Sequence, residues 1–237
     1  MQAIILAGGL GTRLNSVVND RPKSMALING KPFLHYLFKY FENNGIKNVF
    51  LLLGYKKKFI KDFILKSQFS LSFNFVEEDE PLGTGGAIKK LISEQATYLD
   101  EHFFVFNGDT YFPINLKQFL SFHIQKSSDI SMALYSVLKN TRYSSVSLTN
   151  ENKVKAFLNA DGKKALINGG IYIFKKDNLI KSINKINEKK FSIENDFFGQ
   201  QALSELGMYG MFFDTKFIDI GIPEDYARAD DIISDNF

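Results

Sequence analysis

Three stretches of this chain hold residues of the types and spacing that could handle a polyphosphate. In the first, the apolar run Ile4-Ile5-Leu6 stops at Ala7-Gly8-Gly9, with Gly11 two residues further on. A strand that ends in clustered glycines exposes several backbone N–H groups, with no side-chain bulk between them and an anion. Arg13 follows Thr12, and Lys23 sits in Arg21-Pro22-Lys23-Ser24. An Arg fork and a Lys point charge beside such a turn describe a polyphosphate site. In the second stretch, Pro81-Leu82-Gly83-Thr84-Gly85-Gly86-Ala87 leads into a helix. Gly85 and Gly86 would leave space for a flat heterocycle, and the helix start would offer unpaired N–H groups. The third stretch, Asn107-Gly108-Asp109, ends the apolar run Phe103–Phe106, and a second carboxylate, Asp219, stands alone in Phe217-Ile218-Asp219-Ile220-Gly221. A lone Asp between isoleucines is costly unless it is paired or bound to a cation. Asp109 and Asp219 could together hold one Mg²⁺, a hard ion that shares its oxygen ligands with substrate phosphates.

Plainer readings exist for each stretch. A glycine turn is often only a tight connection, and an Asp after a strand often caps the next turn. The dinucleotide fingerprint fails, because Gly9-Leu10-Gly11-Thr12-Arg13 is followed by Leu14. The Walker pattern G-x-x-x-x-G-K-[ST] is absent.

The elements that must position these residues read as alternating strands and helices. Residues 2–6 form a buried strand, 7–24 a long loop, and Asn29-Gly30 a turn. Pro32 opens a helix to about Asn44, ended by Gly45. Strands at Val49–Leu53, Ser72–Val76 and Phe103–Phe106 alternate with helices at Lys56–Lys66 and from Ala87 to about Ser93. That order predicts an α/β fold with a doubly wound, mostly parallel, Rossmann-like sheet, which binds ligands at the carboxyl ends of its strands. Strands near Ile130–Ser136, Ser144–Leu148, Val154–Phe157 and Ile167–Phe174 follow with fewer helices, so the second half reads as a mixed sheet. A helix around Ile193–Leu206, a strand near Tyr209–Phe213 and a helix after Pro223 close the chain. His35, His102 and His123 show no mutual spacing and read as structural.

Composition narrows the classes. A chain of 237 residues with 45% hydrophobic residues can bury a full core. A net charge of +3 and no dense basic tract give no sign of nucleic-acid binding. No cysteine means no disulfide and no thiolate chemistry. No apolar run approaches the length of a membrane span and no leader precedes the first strand, so a cytoplasmic protein is expected. The sequence is compatible with a homodimer.

Leu6-Ala7-Gly8-Gly9-Leu10-Gly11-Thr12-Arg13-Leu14 and Pro22-Lys23 resemble the nucleotide-binding signature of the sugar-1-phosphate nucleotidyltransferases. The resemblance runs from Gln2 to about Ala229. It implies a nucleotidyltransferase (GT-A-like) fold in one domain over 1–237, with a nucleotide-binding half, 1–112, and a sugar-binding half, 113–237. The implied reaction joins an NTP and a sugar 1-phosphate to give an NDP-sugar and pyrophosphate, with Mg²⁺ as cofactor. Within the family, INGKPFLHYL, EPLGTGGAI, NGDT, INGGIY and DIGIPEDY are most like short bacterial members that use GTP and a D-glycero-D-manno-heptose 1-phosphate. No residue indicates guanine by physical argument, so UTP, CTP or dTTP stay open.

The resemblance also implies roles. Leu6, Ala7, Gly8, Gly9, Gly11, Thr12, Pro81, Gly83, Thr84, Gly85, Asn107 and Gly108 would bind the nucleotide. Arg13 would hold the departing pyrophosphate, Lys23 would neutralise charge near the α-phosphoryl group, and Asp109 and Asp219 would hold the metal. Catalysis would rest on Arg13, Lys23 and Asp109, by positioning and charge neutralisation. Asn168, Gly169, Gly170, Tyr172 and Glu194 would contact the sugar; for Glu194 an imperfect capping box with Ser192 is the alternative. Three departures stand out. Family members usually carry Phe-x-Glu-Lys, its Lys on the sugar phosphate, where this chain has Phe157-Leu158-Asn159-Ala160. Lys163 or Lys164 is the nearest replacement charge. Arg142-Tyr143-Ser144 stands for Arg-Tyr-Gly, and Pro22-Lys23-Ser24 for Pro-Lys-Pro. The missing Lys also admits a different class of protein, a nucleotide-sugar sensor without turnover.

Overall fold

The protein is described by a computed structural model covering residues 1–234. Strands β1 (Gln2–Ala7), β2 (Asn48–Leu53), β3 (Ser72–Glu77) and β4 (His102–Asn107) run parallel. Helices α1 (Phe33–Asn43), α2 (Lys57–Leu65) and α3 (Gly83–Gln95) connect them. Then come α4 (Leu116–Gln125), β5 (Ile130–Val137), β6 (Ser145–Leu148), β7 (Val154–Leu158), β8 (Ala165–Lys175), α5 (Lys176–Ile183) and β9 (Met208–Phe212). One nine-stranded sheet runs β7-β6-β8-β4-β1-β2-β3, with β5 against β8 and β9 against β5. β8 is antiparallel to β4, so the sheet is mixed.

The central strands are apolar throughout because both faces are covered. Along β1, Ala3, Ile5 and Ala7 pack beneath α1, α2 and α4, whereas Ile4 packs with Ile88 and Leu91 of α3 on the other face. This alternation is the two-residue period of a strand. The second half holds more helix than its sequence rhythm suggested. Asn115 caps α4 by accepting from the Gln118 N–H at 3.0 Å, and Leu116 and Phe119 are buried beneath it. The expected helix over Ile193–Leu206 is a wide π-helix, Ile193–Ala202, followed by one α-turn.

β8 shapes what lies beyond the sheet. Ile171 pairs with Phe106, so residues Ala165–Gly170 extend past the carboxyl edge of β4. Between Asn168, opposite Leu134, and Tyr172, opposite Met132, two extra residues bulge out. Gly170 sits there at φ +71°, a conformation that glycine adopts without strain. No helix among the described residues is long and apolar enough to cross a membrane.

Candidate active site

A cleft of ≈ 890 Å³ opens where β1 and β4 end. Leu6, Ala7, Gly8 and Gly9 line it as β1 gives way to the loop, followed by Gly11, Thr12 and Arg13. A Cβ on Gly9 would meet nothing within 4 Å, so this backbone faces open space. Leu14 is buried and anchors the loop from below. Arg13 is exposed and forms no ion pair among the described residues.

The distant carboxylates meet. Thr110–Tyr111 pairs antiparallel with Ile218–Asp219, Thr110 opposite Asp219, and the Ile220 N–H donates to the Asp109 carbonyl at 2.9 Å. That short ladder places Asp109 beside Asp219 on the cleft wall. Lys23, presented by a 3₁₀ turn after Pro22, ion-pairs with Asp109. Asp219 accepts from the Gly221 N–H at 2.7 Å and from Arg142 Nη2 at 2.6 Å. Burial, then the neighbouring Asp109 charge, push the Asp219 carboxyl above its usual range, against the pull of Lys23 and Arg142.

Two adjacent carboxylates are suitable donors for Mg²⁺. Among the described residues no cluster of three or more His, Cys, Asp or Glu is placed to hold a metal, so these two carboxylates would need substrate oxygens or water to complete a ligand set. Ser24 Oγ, Asn107 Oδ1 and Arg142 Nε are buried without a hydrogen-bond partner among the described residues, and all three residues line this cleft. Native folds rarely leave such atoms unmet, so three beside one cleft point to a polar ligand there. Gly108 also lines the cleft.

The second glycine stretch differs from expectation. Pro81, Gly83 and Thr84 line the cleft, but Gly85 does not. The Phe191 carbonyl accepts from Gly85 N–H at 3.0 Å and Gly86 N–H at 3.3 Å, so these donors are already taken. A Cβ on Gly85 would lie 2.2 Å from the Phe191 ring. The space at Gly85 and Gly86 therefore admits the segment before the π-helix, and Gly85 is a packing position. Gly85→Ala is expected to destabilise the fold by about 1–3 kcal/mol, the usual cost of overpacking, read as a lowered urea midpoint.

The expected sugar residues divide similarly. Asn168, Gly170 and Glu194 line the cleft, whereas Gly169 and Tyr172 are buried behind it. Gly169 packs on Phe112 and the Ala133 carbonyl. Tyr172 accepts from Asn168 Nδ2 at 2.6 Å and donates to Glu194 Oε1 at 3.5 Å, so it fixes two cleft side chains from below. Burial pushes its phenol well above the ordinary value. Glu194 Oε2 also accepts from Thr84 Oγ1 at 2.8 Å and Ser192 Oγ at 2.9 Å. The helix cap is a separate contact, Ser192 Oγ accepting from Asn195 N–H at 3.2 Å.

Lys163 and Lys164 do not enter the cleft; Lys163 is exposed beside Asp161. Asn159 lines it, and so does Arg142, which the sequence reading named only as part of Arg142-Tyr143-Ser144 and gave no role. Glu78 was missed altogether inside the polar run Glu77–Glu80. It continues the Val76 face of β3 beyond the strand end, lines the cleft beside Gly8, and accepts from the Leu82 N–H at 3.0 Å. Burial raises its carboxyl above the usual range. Strand alternation from Val76 was the available signal. Away from the cleft, His102 and His123 are in contact, Nδ1 to Nε2 at 3.0 Å, and His123 also meets Ser131 Oγ at 2.8 Å. Burial, reinforced by His102, lowers His123 to about 3, so it stays neutral and structural.

Known proteins are similar to this chain over nearly its whole length. The D-glycero-alpha-D-manno-heptose 1-phosphate guanylyltransferase of Aneurinibacillus thermoaerophilus is 42% identical over 233 residues, covering 97% of this chain and 96% of its own. The protein of that name from Campylobacter jejuni is 42% identical over 228 residues, covering 95% and 97%. HddC from Yersinia pseudotuberculosis superposes with a TM-score of 0.84 at 37% identity, covering 97% of this chain and 98% of that one. It has also been solved complexed with GMP-PN. The family described as Nucleotidyl transferase matches residues 2–236, nearly the whole of the chain, and the chain belongs to that family.

Proposed function

We propose that the protein transfers the guanylyl group of GTP to a sugar 1-phosphate, with D-glycero-D-manno-heptose 1-phosphate as the acceptor. The observation that carries this reading is the meeting of Asp109, Asp219 and Lys23 beside the glycine turn. The acceptor phosphate oxygen attacks the α-phosphorus, the bond to the bridging oxygen of the β-phosphate breaks, and pyrophosphate leaves. The acceptor is already an anionic nucleophile, so no side chain has to take its proton. The backbone from Gly8 to Thr12 cradles the triphosphate, Arg13 compensates the charge gathering on pyrophosphate, and Lys23 faces the α-phosphoryl group. Asp109 and Asp219 are suited to hold Mg²⁺, which when bound supplies charge neutralisation between α-phosphate and leaving group. The nine-stranded sheet takes strands from both proposed halves, nucleotide-binding 1–112 and sugar-binding 113–237, which supports donor and acceptor walls held as one unit.

Glu78 supplies a physical reason for guanine. A carboxylate only accepts hydrogen bonds. Guanine presents two adjacent donors, N1–H and the N2 amino group. Uracil and thymine present one donor flanked by acceptors, and adenine and cytosine a donor beside a lone pair. Glu78→Gln is expected to weaken GTP binding by about 10-fold and narrow the margin over UTP, the scale of one charge-assisted hydrogen bond. The same change should raise the melting temperature at neutral pH. A carboxyl raised by burial loses native stability as pH climbs through its unfolded and then its folded pKa, and Gln removes that cost.

Pyrophosphate release from a panel of NTPs against several sugar 1-phosphates tests the reading. Release should be fastest with GTP and the heptose phosphate. A faster pair would reassign base or sugar, and a protein that binds GDP-sugar without releasing pyrophosphate from any pair would be the sensor to which the Asn159-Ala160 departure pointed. A reaction fed by GTP would also fit a cytoplasmic location.

A further inference from the structure

The acceptor must bring a phosphate dianion up to an α-phosphorus already surrounded by negative charge, so a fixed cation has to stand on the acceptor side of Asp219. The cations lining the cleft among the described residues are Arg13, Lys23, Arg142 and Lys190. Arg13 and Lys23 belong to the glycine turn and Asp109. Of the other two, only Arg142 has a contact that locates it beside the reacting atoms. Its Nη2 lies 2.6 Å from Asp219 Oδ2 and its Nη1 2.5 Å from Asp225 Oδ2. The guanidinium sits 4.4 Å over the Tyr143 ring, and its Nε is buried with no acceptor. Tyr143 and Asn159 of the acceptor wall line the same cleft.

We propose that Arg142 is the cation that binds the acceptor phosphate, with Asp219 as its counter-ion until metal takes that carboxylate. The inference rests on the transfer reading above. Asp225, on the turn Pro223–Tyr226, keeps one arm of the fork in place while the other is freed. The planar fork, stacked on Tyr143 and tied to Asp225, is oriented before the substrate arrives, and two parallel N–H bonds suit a phosphate better than a Lys charge does. The positive charge at the acceptor side thus comes from a loop other than the one that carries Ala160.

Arg142→Ala and Arg142→Lys test this, with Lys190→Ala as the rival. Arg142→Ala should raise KM for the sugar 1-phosphate by about 10- to 100-fold and leave KM for GTP within about twofold, the effect of losing charged hydrogen bonds to one substrate. Arg142→Lys keeps the charge, guards against a folding failure in the alanine variant, and should show the same split more weakly. Without the competing guanidinium, the Mg²⁺ concentration needed for GTP to raise the melting temperature should fall in Arg142→Ala. An unchanged acceptor KM in both Arg142 variants of an active enzyme, or a rise confined to Lys190→Ala, overturns the assignment and leaves the transfer reading intact. A wild-type protein that releases no pyrophosphate overturns both.

Discussion

Lys23→Ala is expected to lower kcat at least ~10²-fold with a much smaller change in KM for GTP, the scale of losing one transition-state donor. Lys23 is held by its pair with Asp109 on a short turn, so its ammonium is fixed before substrate arrives. A preorganised charge is worth most where negative charge grows during the reaction. The ammonium also approaches Gly221, within 3.2 Å of where a Cβ would stand, which sets it beside the segment that follows Asp219. Steady-state kinetics alongside a melting curve checks the outcome. Near-normal kcat in a folded variant would remove Lys23 from the chemistry.

Asp219→Asn should cost more, on the order of 10³-fold in kcat, because a metal's charge neutralisation is worth several kcal/mol in the transition state. The substitution keeps the side-chain shape and can keep the Gly221 N–H bond while removing the charge. The Mg²⁺ concentration for half-maximal rate should rise, and part of the loss should be recovered at high Mg²⁺. Arg142 loses its charged partner at the same time, so the melting temperature has to be followed. A variant with wild-type Mg²⁺ dependence would show that Asp219 holds no metal.

The parallel half of the fold was legible because β1, β2 and β4 are covered on both faces and end in glycine or acidic turns. Helix α4 was legible too, through Asn115 and the spacing of Leu116 and Phe119, yet the strand-rich rhythm around it drew attention away. The pairing of Asp109 with Asp219 could be anticipated from the cost of burying a lone carboxylate, but the ladder that achieves it could not, since its strands are two residues long. Gly85 shows why glycines mislead. Close approach by Phe191 and close approach by a ligand demand the same missing side chain. Glu78 was hidden as one of four consecutive acidic residues; it is the nearest of them in phase with Val76, and it alone of the four is buried.

The carbonyl of Phe191 that accepts from Gly85 and Gly86, and its N–H that donates to Leu82, stitch a late segment onto the start of α3. The bond from Thr84 to Glu194 adds a side-chain stitch beside them. The segment proposed to read the base therefore cannot be swapped as a cassette. A chimera that imports residues 78–95 from a relative with another nucleotide preference must import 189–196 with it, and one that mixes the two parentages should fold poorly even when each piece is sound in its own parent.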